Sequence, residues 1–167
     1  MTHNMLIKLI LVLALFFTNH IAHAHDLKQP KADNNNITTP IYALFDGMRE
    51  NDKDKILTQF TEQALLQRVD NKGEITHTDV KKFALSISQN TAKLDEHLLA
   101  VQINQLDGLA SVWTPFAFYL NGKLSHCGSN SFQMVQVDNQ WRIHYLIDVT
   151  YTGDCQAFVE KHTGKPD

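Results

Sequence analysis

Residues 109–155 read LASVWTPFAFYLNGKLSHCGSNSFQMVQVDNQWRIHYLIDVTYTGDC, and their pattern decides the fold. Three runs rich in Val, Ile, Phe, Tyr and Trp are separated by Asn121-Gly122 and by Asp138-Asn139. Runs of this kind bounded by turn residues form strands, and strands in direct succession pair as an antiparallel meander. Inside the runs lie polar residues capable of chemistry: His126, Asn130, His144 and Asp148. A sheet with one oily face and one mixed face can bend around a small molecule.

Side chains alternate along a strand, so the register of the last hairpin assigns its faces. A three-residue loop at Asp138, Asn139 and Gln140 pairs Val137 with Trp141 and Asn130 with Asp148. On that register Val135, Val137, Trp141, Ile143, Tyr145, Ile147 and Val149 form the core stripe. Asn130, Phe132, Met134, His144, Leu146 and Asp148 then form a mixed face suited to lining a small-molecule site. Pro115 has no N–H for a ladder and belongs at an edge or a bulge, so the sheet is expected to curve there. Trp113, Phe116, Tyr119 and Phe132 offer rings to a planar ligand, with Trp113 and Tyr119 on one face.

Before this stretch, the Asp107-Gly108 turn follows a strand over Leu98 to Leu106. The opening half reads helix, helix, hairpin, helix. Thr39-Pro40 starts the first helix, with Ile41, Leu44, Phe45 and Met48 at helical spacing. Lys53 to Phe60 forms a short second helix, and Ala64–Asp70 with Glu74–His77 forms a hairpin around Asn71-Lys72-Gly73. Thr78 caps a third helix through Gln89, with Val80, Phe83, Ala84 and Ile87 on one side.

Residues 1–24 read as a secretory signal peptide, because Lys8 precedes the apolar run Leu9 to Phe17 and an Ala22-His23-Ala24 cleavage site follows. That run is shorter than the ~20 residues of a membrane-spanning helix, and no later run approaches such a length. The mature chain is expected to be exported, periplasmic or secreted, with no membrane span. Residues 25–38 form a polar leader, 39–158 one domain, and 159–167 a tail. Fifteen Lys or Arg against 18 Asp or Glu, without a run of either sign, give no basic stripe for nucleic acid.

Cys127 and Cys155 are a disulfide candidate in a chain bound for an oxidising compartment, and two free buried thiols are the alternative. The set His126, Cys127, His144 and Cys155 lacks the paired spacing of structural zinc sites, so no metal is expected. His126 adjoins Cys127 and points to the opposite face of a strand, which argues against a nucleophilic dyad. No phosphate loop or Ser-centred elbow occurs, and no cofactor is expected.

The order of elements has a familiar wording. Ile41 to Asp46 with Asp52, the segment Val112-Trp113-Thr114-Pro115-Phe116, the run from Phe118 to Gly128, and Trp141-Arg142-Ile143 followed by Asp148 resemble the nuclear transport factor 2-like (SnoaL-like) superfamily. Within it they resemble the secreted bacterial branch labelled lumazine-binding, over about residues 39–155. The resemblance implies an α+β, cone-shaped fold with three N-terminal helices packed on a strongly curved antiparallel sheet, closed around a pocket and dimerising through the sheet. Relatives include isomerases, cyclases, dehydratases and proteins without catalysis, so the fold does not decide function.

An acid between Ile147 and Val149 must be paired, protonated or facing a cavity, which makes Asp148 the leading candidate, with His126 beside it. The ligand-binding candidates are Trp113, Tyr119, His126, Asn130, Phe132, His144 and Asp148. The expected function is binding of a small organic ligand without catalysis. The alternatives are an isomerase-, cyclase- or dehydratase-like enzyme with Asp148 as general base and His126 or Tyr119 as donor, and a dimeric protein-interaction module.

Overall fold

The computed structural model describes residues 37–164. The expected signal peptide and residues 25–36 of the leader lie outside the described residues. Ile37 and Thr38 are buried, so the packed region begins inside the expected leader.

Helix α1 (Thr39–Glu50) carries Pro40 in its first turn, and its Ile41, Leu44, Phe45 and Met48 are buried. It ends at Asn51 in the left-handed region, φ 55°, a conformation Asn tolerates better than most residues. Asp52 then caps α2 (Lys53–Leu57) by accepting a hydrogen bond from the Lys55 N–H at 2.9 Å. Phe60 opens strand β1 (Phe60–Val69) instead of closing the second helix, and β1 forms a hairpin with β2 (Ile75–Thr78). The cap of α3 (Val80–Ser88) is Asp79, whose carboxylate accepts from the Lys82 N–H at 2.9 Å, and not Thr78.

The sheet continues with β3 (Leu94–Leu98), β4 (Gln102–Leu106), β5 (Leu109–Leu120), β6 (Lys123–Val137) and β7 (Gln140–Thr150). Its order is β2-β1-β7-β6-β5-β3, with β4 also on β5. The expected single strand before Asp107 is therefore two. β3 pairs with Phe116–Leu120 and β4 with Leu109–Trp113. Between them the Leu99 N–H reaches the carbonyl of Pro115 at 2.8 Å. Pro115 thus sits where the neighbouring strand breaks, so its missing N–H leaves no ladder position unfilled. The irregularity in β5–β6 pairing falls at Phe118/Tyr119, not at Pro115.

The sheet is not wholly antiparallel: β1 lies parallel to β7, pairing Leu66 with Leu146 and Arg68 with Asp148. Such a contact joins segments far apart in sequence, and no local pattern encodes it. The last hairpin also differs from its expected register. Asp138 and Asn139, at φ 51° and 60°, make a two-residue turn that pairs Val137 with Gln140. A one-residue irregularity then leaves His144 between the pairs Met134–Ile143 and Gln133–Tyr145. This bulge restores the Asn130–Asp148 pairing while inverting the strand before it. Trp141 and Ile143 consequently share the buried face with Phe132, Met134 and Leu146, whereas Val135 and Val137 lie outside.

Helix α4 (Cys155–Thr163) runs past residue 158 into the segment expected to be a tail. Asp154 caps it, and a Cys127–Cys155 disulfide with Cα atoms 5.6 Å apart ties it to β6. Cys127 is odd-numbered against Asn130 on an uninterrupted strand, so α4 packs on part of the face opposite α1. Closing a loop of sequence separation 28 stabilises the fold by about 3.6 kcal/mol in the chain-entropy picture.

Candidate functional site

Between α1, α3 and the inner face of the sheet lies a cavity of about 440 Å³. Its apolar wall comes from helical spacing on one side, Phe45 and Met48 on α1 and Phe83 and Ile87 on α3, and from Leu94 and Leu146 on the sheet. Polar groups interrupt this wall, among them Arg68, Glu96 and Asp148, each on a different strand, and Asn130 on β6. Alternation puts them there. Arg68 follows Leu66 at a spacing of two, Asp148 follows Leu146, and Glu96 sits between Leu94 and Leu98.

Arg68 and Asp148 neutralise one another. The guanidinium donates from Nε to Oδ1 at 2.7 Å and from Nη2 to Oδ2, a two-pronged contact that the parallel Arg68–Asp148 pairing sets up. Each oxygen of Asp148 thus accepts one hydrogen bond from Arg68 and keeps a second lone pair.

Glu96 is in a different state. It is 8% exposed, and its Oε1 accepts a hydrogen bond from Asn130 Nδ2 at 2.7 Å. Burial pushes its pKa up to about 7; the Asn130 bond opposes the rise, the negative charge of Asp148 adds to it, and Arg68 and Arg49 oppose it from farther away. Arg49 on α1 braces the strand from behind, donating to the Glu96 carbonyl at 3.2 Å, to Asp95 at 3.1 Å and to Asp46 at 2.6 Å.

His126 completes the polar group. Its ring stacks on Phe118 with centroids 4.8 Å apart and meets Phe116 edge-on at 5.9 Å. Burial, and then the charge of Arg68, hold its pKa below the ordinary imidazole value, so the ring enters the site neutral at pH 7.

Of the residues singled out in the sequence, His126, Asn130 and Asp148 come together in this cavity. The others do not. Trp113 lies on the outer face and is 44% exposed. Tyr119 shares that face and packs its ring against His97 at 4.9 Å. Phe132 is fully buried against Phe45, filling the core instead of lining the cavity. His144 is the exposed bulge residue, hydrogen-bonded to Thr61 at 3.0 Å. No group of three or more metal-ligating side chains occurs among the described residues.

Arg68 and Glu96 were absent from the sequence reading. Each carried a usable signal, a charge at the inward position of a period-two run: Ala64, Leu66, Arg68 and Leu94, Glu96, Leu98. Starting the strand at Leu98 instead of Leu94 hid the second.

No family model matches the sequence, and no curated protein matches it. Solved structures do resemble it. An NTF2-like protein of unknown function from Shewanella baltica OS155 is 16% identical, with a TM-score of 0.54 over 70% of this chain and 92% of that one. A candidate scytalone dehydratase from Novosphingobium aromaticivorans is 15% identical, TM-score 0.59, over 70% and 82%. A candidate dehydratase of the NTF2-like family from Streptomyces avermitilis is 13% identical, TM-score 0.60, over 75% and 100%. The chain therefore has the nuclear transport factor 2-like α+β fold. Among the described residues no helix is long and apolar enough to cross a membrane.

Proposed function

We propose that this domain binds a small, planar, largely apolar organic molecule in the cavity between α1, α3 and the sheet. The single observation that carries this reading is a 440 Å³ hollow, apolar over most of its wall, on which Glu96, Asn130, His126 and the Arg68–Asp148 pair converge. The Phe118–His126 stack offers a flat surface to a ring. The resemblance to the secreted lumazine-binding branch points the same way. Export and dimerisation through the outer sheet face belong to the same proposal. The apolar run before Ala24 and the Cys127–Cys155 bridge support export, and the exposed Leu109 and Trp113 support the dimer.

Native mass spectrometry of protein recovered from its own host tests all three. The expected species is a dimer beginning at His25 that retains a small molecule. Leu146→Trp, which fills the cavity from β7, should release that molecule while the dimer persists. Protein that carries no small molecule when recovered and takes up none on dialysis against a cell extract contradicts the binding reading.

A second reading, an enzyme that moves a proton, has one observation in its favour: a buried carboxyl in the cavity titrates near neutrality. In that case Glu96 is the base, because its carboxyl has no cationic side-chain partner whereas Asp148 is ion-paired with Arg68. Accelerated deuterium exchange at the α-carbon of a ketone, lost in Glu96→Gln, is its expected signature, and an exchange rate equal to that in buffer removes it.

A further inference from the structure

We propose, resting on the binding reading above, that Glu96 meets the ligand as an un-ionised carboxylic acid, so that the cavity selects uncharged molecules bearing a hydrogen-bond acceptor over amines and carboxylates. The argument is one of charge and hydrogen-bond capacity. A carboxylate in an apolar cavity needs a counter-charge. Every cation near Glu96 is committed elsewhere. Arg68 on β1 grips both oxygens of Asp148, and Arg49 on α1 is bound to Asp46, Asp95 and the Glu96 backbone carbonyl.

The remaining titratable groups do not help. On its own strand Glu96 is flanked by Asp95 and by His97, which pairs with Asp95 at 3.0 Å. From β7 it faces a second carboxylate, Asp148, and from β6 a neutral His126. The α3 wall contributes Phe83 and Ile87.

As an acid the same group fits. Asn130 supplies its one side-chain hydrogen bond among the described residues, to Oε1. That leaves the acid's O–H to donate, and a carbonyl or ring nitrogen of an uncharged ligand is the acceptor that suits it. A carboxylate ligand meets Asp148, and an amine finds no free anion unless Glu96 gives up its proton. A pKa near 7 agrees with this state and sets where it ends.

Three probes of one skeleton test the inference on the full mature chain: 1-tetralone, 1-aminotetralin and tetralin-1-carboxylate, each titrated calorimetrically at about pH 5.5 and about pH 8.5. The ketone should bind best of the three. Because only the protonated fraction is competent, its affinity should fall about thirty-fold between the two pH values. Glu96→Gln places an amide donor at the same point, and should keep ketone binding while abolishing the pH dependence. An amine that binds best and tightens with rising pH overturns the inference, as does wild-type ketone affinity that is flat with pH. Should the variant not fold, the wild-type pH profile still decides. Failure of all three probes to bind overturns the occupied cavity and this inference together; binding in any other pattern overturns this inference alone.

Discussion

Glu96→Gln is expected to make the protein more stable at pH 8 by about 3 kcal/mol and to leave it nearly unchanged at pH 4. The sign follows from where the proton sits. An unfolded glutamate loses its proton near pH 4.5, whereas in the folded chain burial holds it up to about 7. Between those values the native state binds more protons than the unfolded state, so stability falls as pH rises. The contribution is fully present below the unfolded value and gone above the folded one. A difference of this width corresponds to about 3 kcal/mol. Glutamine keeps the acceptor for Asn130 and cannot ionise, so the variant should lack this slope. Urea unfolding of both proteins at several pH values isolates the effect, since every other titrating group is common to the pair. Parallel stability curves would show that Glu96 ionises without penalty and that its surroundings are wetter than the packing implies.

The second large effect concerns backbone spacing. A Cβ added at Gly128 would lie 2.0 Å from the carbonyl oxygen of Val149 and 3.0 Å from the ring of Phe116. The first atom is backbone of the paired strand β7 and cannot swing aside, while Phe116 is fully buried. Gly128→Ala must therefore separate β6 from β7 beside the disulfide, and should destabilise by about 3 kcal/mol or more, at the upper end of overpacking effects. Gly108→Ala is the control. Its Cβ would meet only Gln136 Cβ at 3.5 Å, an ordinary contact, and a change within about 0.5 kcal/mol is expected. Equal thermal unfolding of the two variants would contradict the close β6–β7 approach.

How far these features were legible in the sequence depends on how local they are. Caps, turns and strand-forming runs are local, and helices α1 to α3, the β1–β2 hairpin and the β5–β6–β7 meander follow from residues within a few positions of one another. The fold class was readable for that reason. The Asn130–Asp148 pairing was reached through a wrong loop: a three-residue turn and a two-residue turn with a later bulge give the same register beyond the bulge. They differ before it, which is why Trp141 and Ile143, buried as expected, share their face with Phe132, Met134 and Leu146 and not with Val135 and Val137.

What stayed hidden is non-local. The parallel β1–β7 pairing brings Arg68 to Asp148 across 80 positions, and no hydrophobic pattern announces it. That contact decides the chemistry, because it converts the most suspect acid of the sequence into half of an ion pair. The role of unpaired acid passes to Glu96, whose partner Asn130 lies 34 residues away. Aromatic residues misled in the opposite direction. Trp113 and Tyr119 share one face, but that face is the outer one, and a ring's chemistry does not reveal which side of a sheet it occupies.

The most direct measurement is a carbon-13 NMR titration of the Glu96 side-chain carboxyl, assigned by comparison with Glu96→Gln. A midpoint near pH 7 is expected, the value of a buried acid at the wall of a largely apolar hollow. A midpoint near 4.5, the ordinary value for glutamate, would mean that water or a counter-ion reaches the group, and the site described above would not exist in solution.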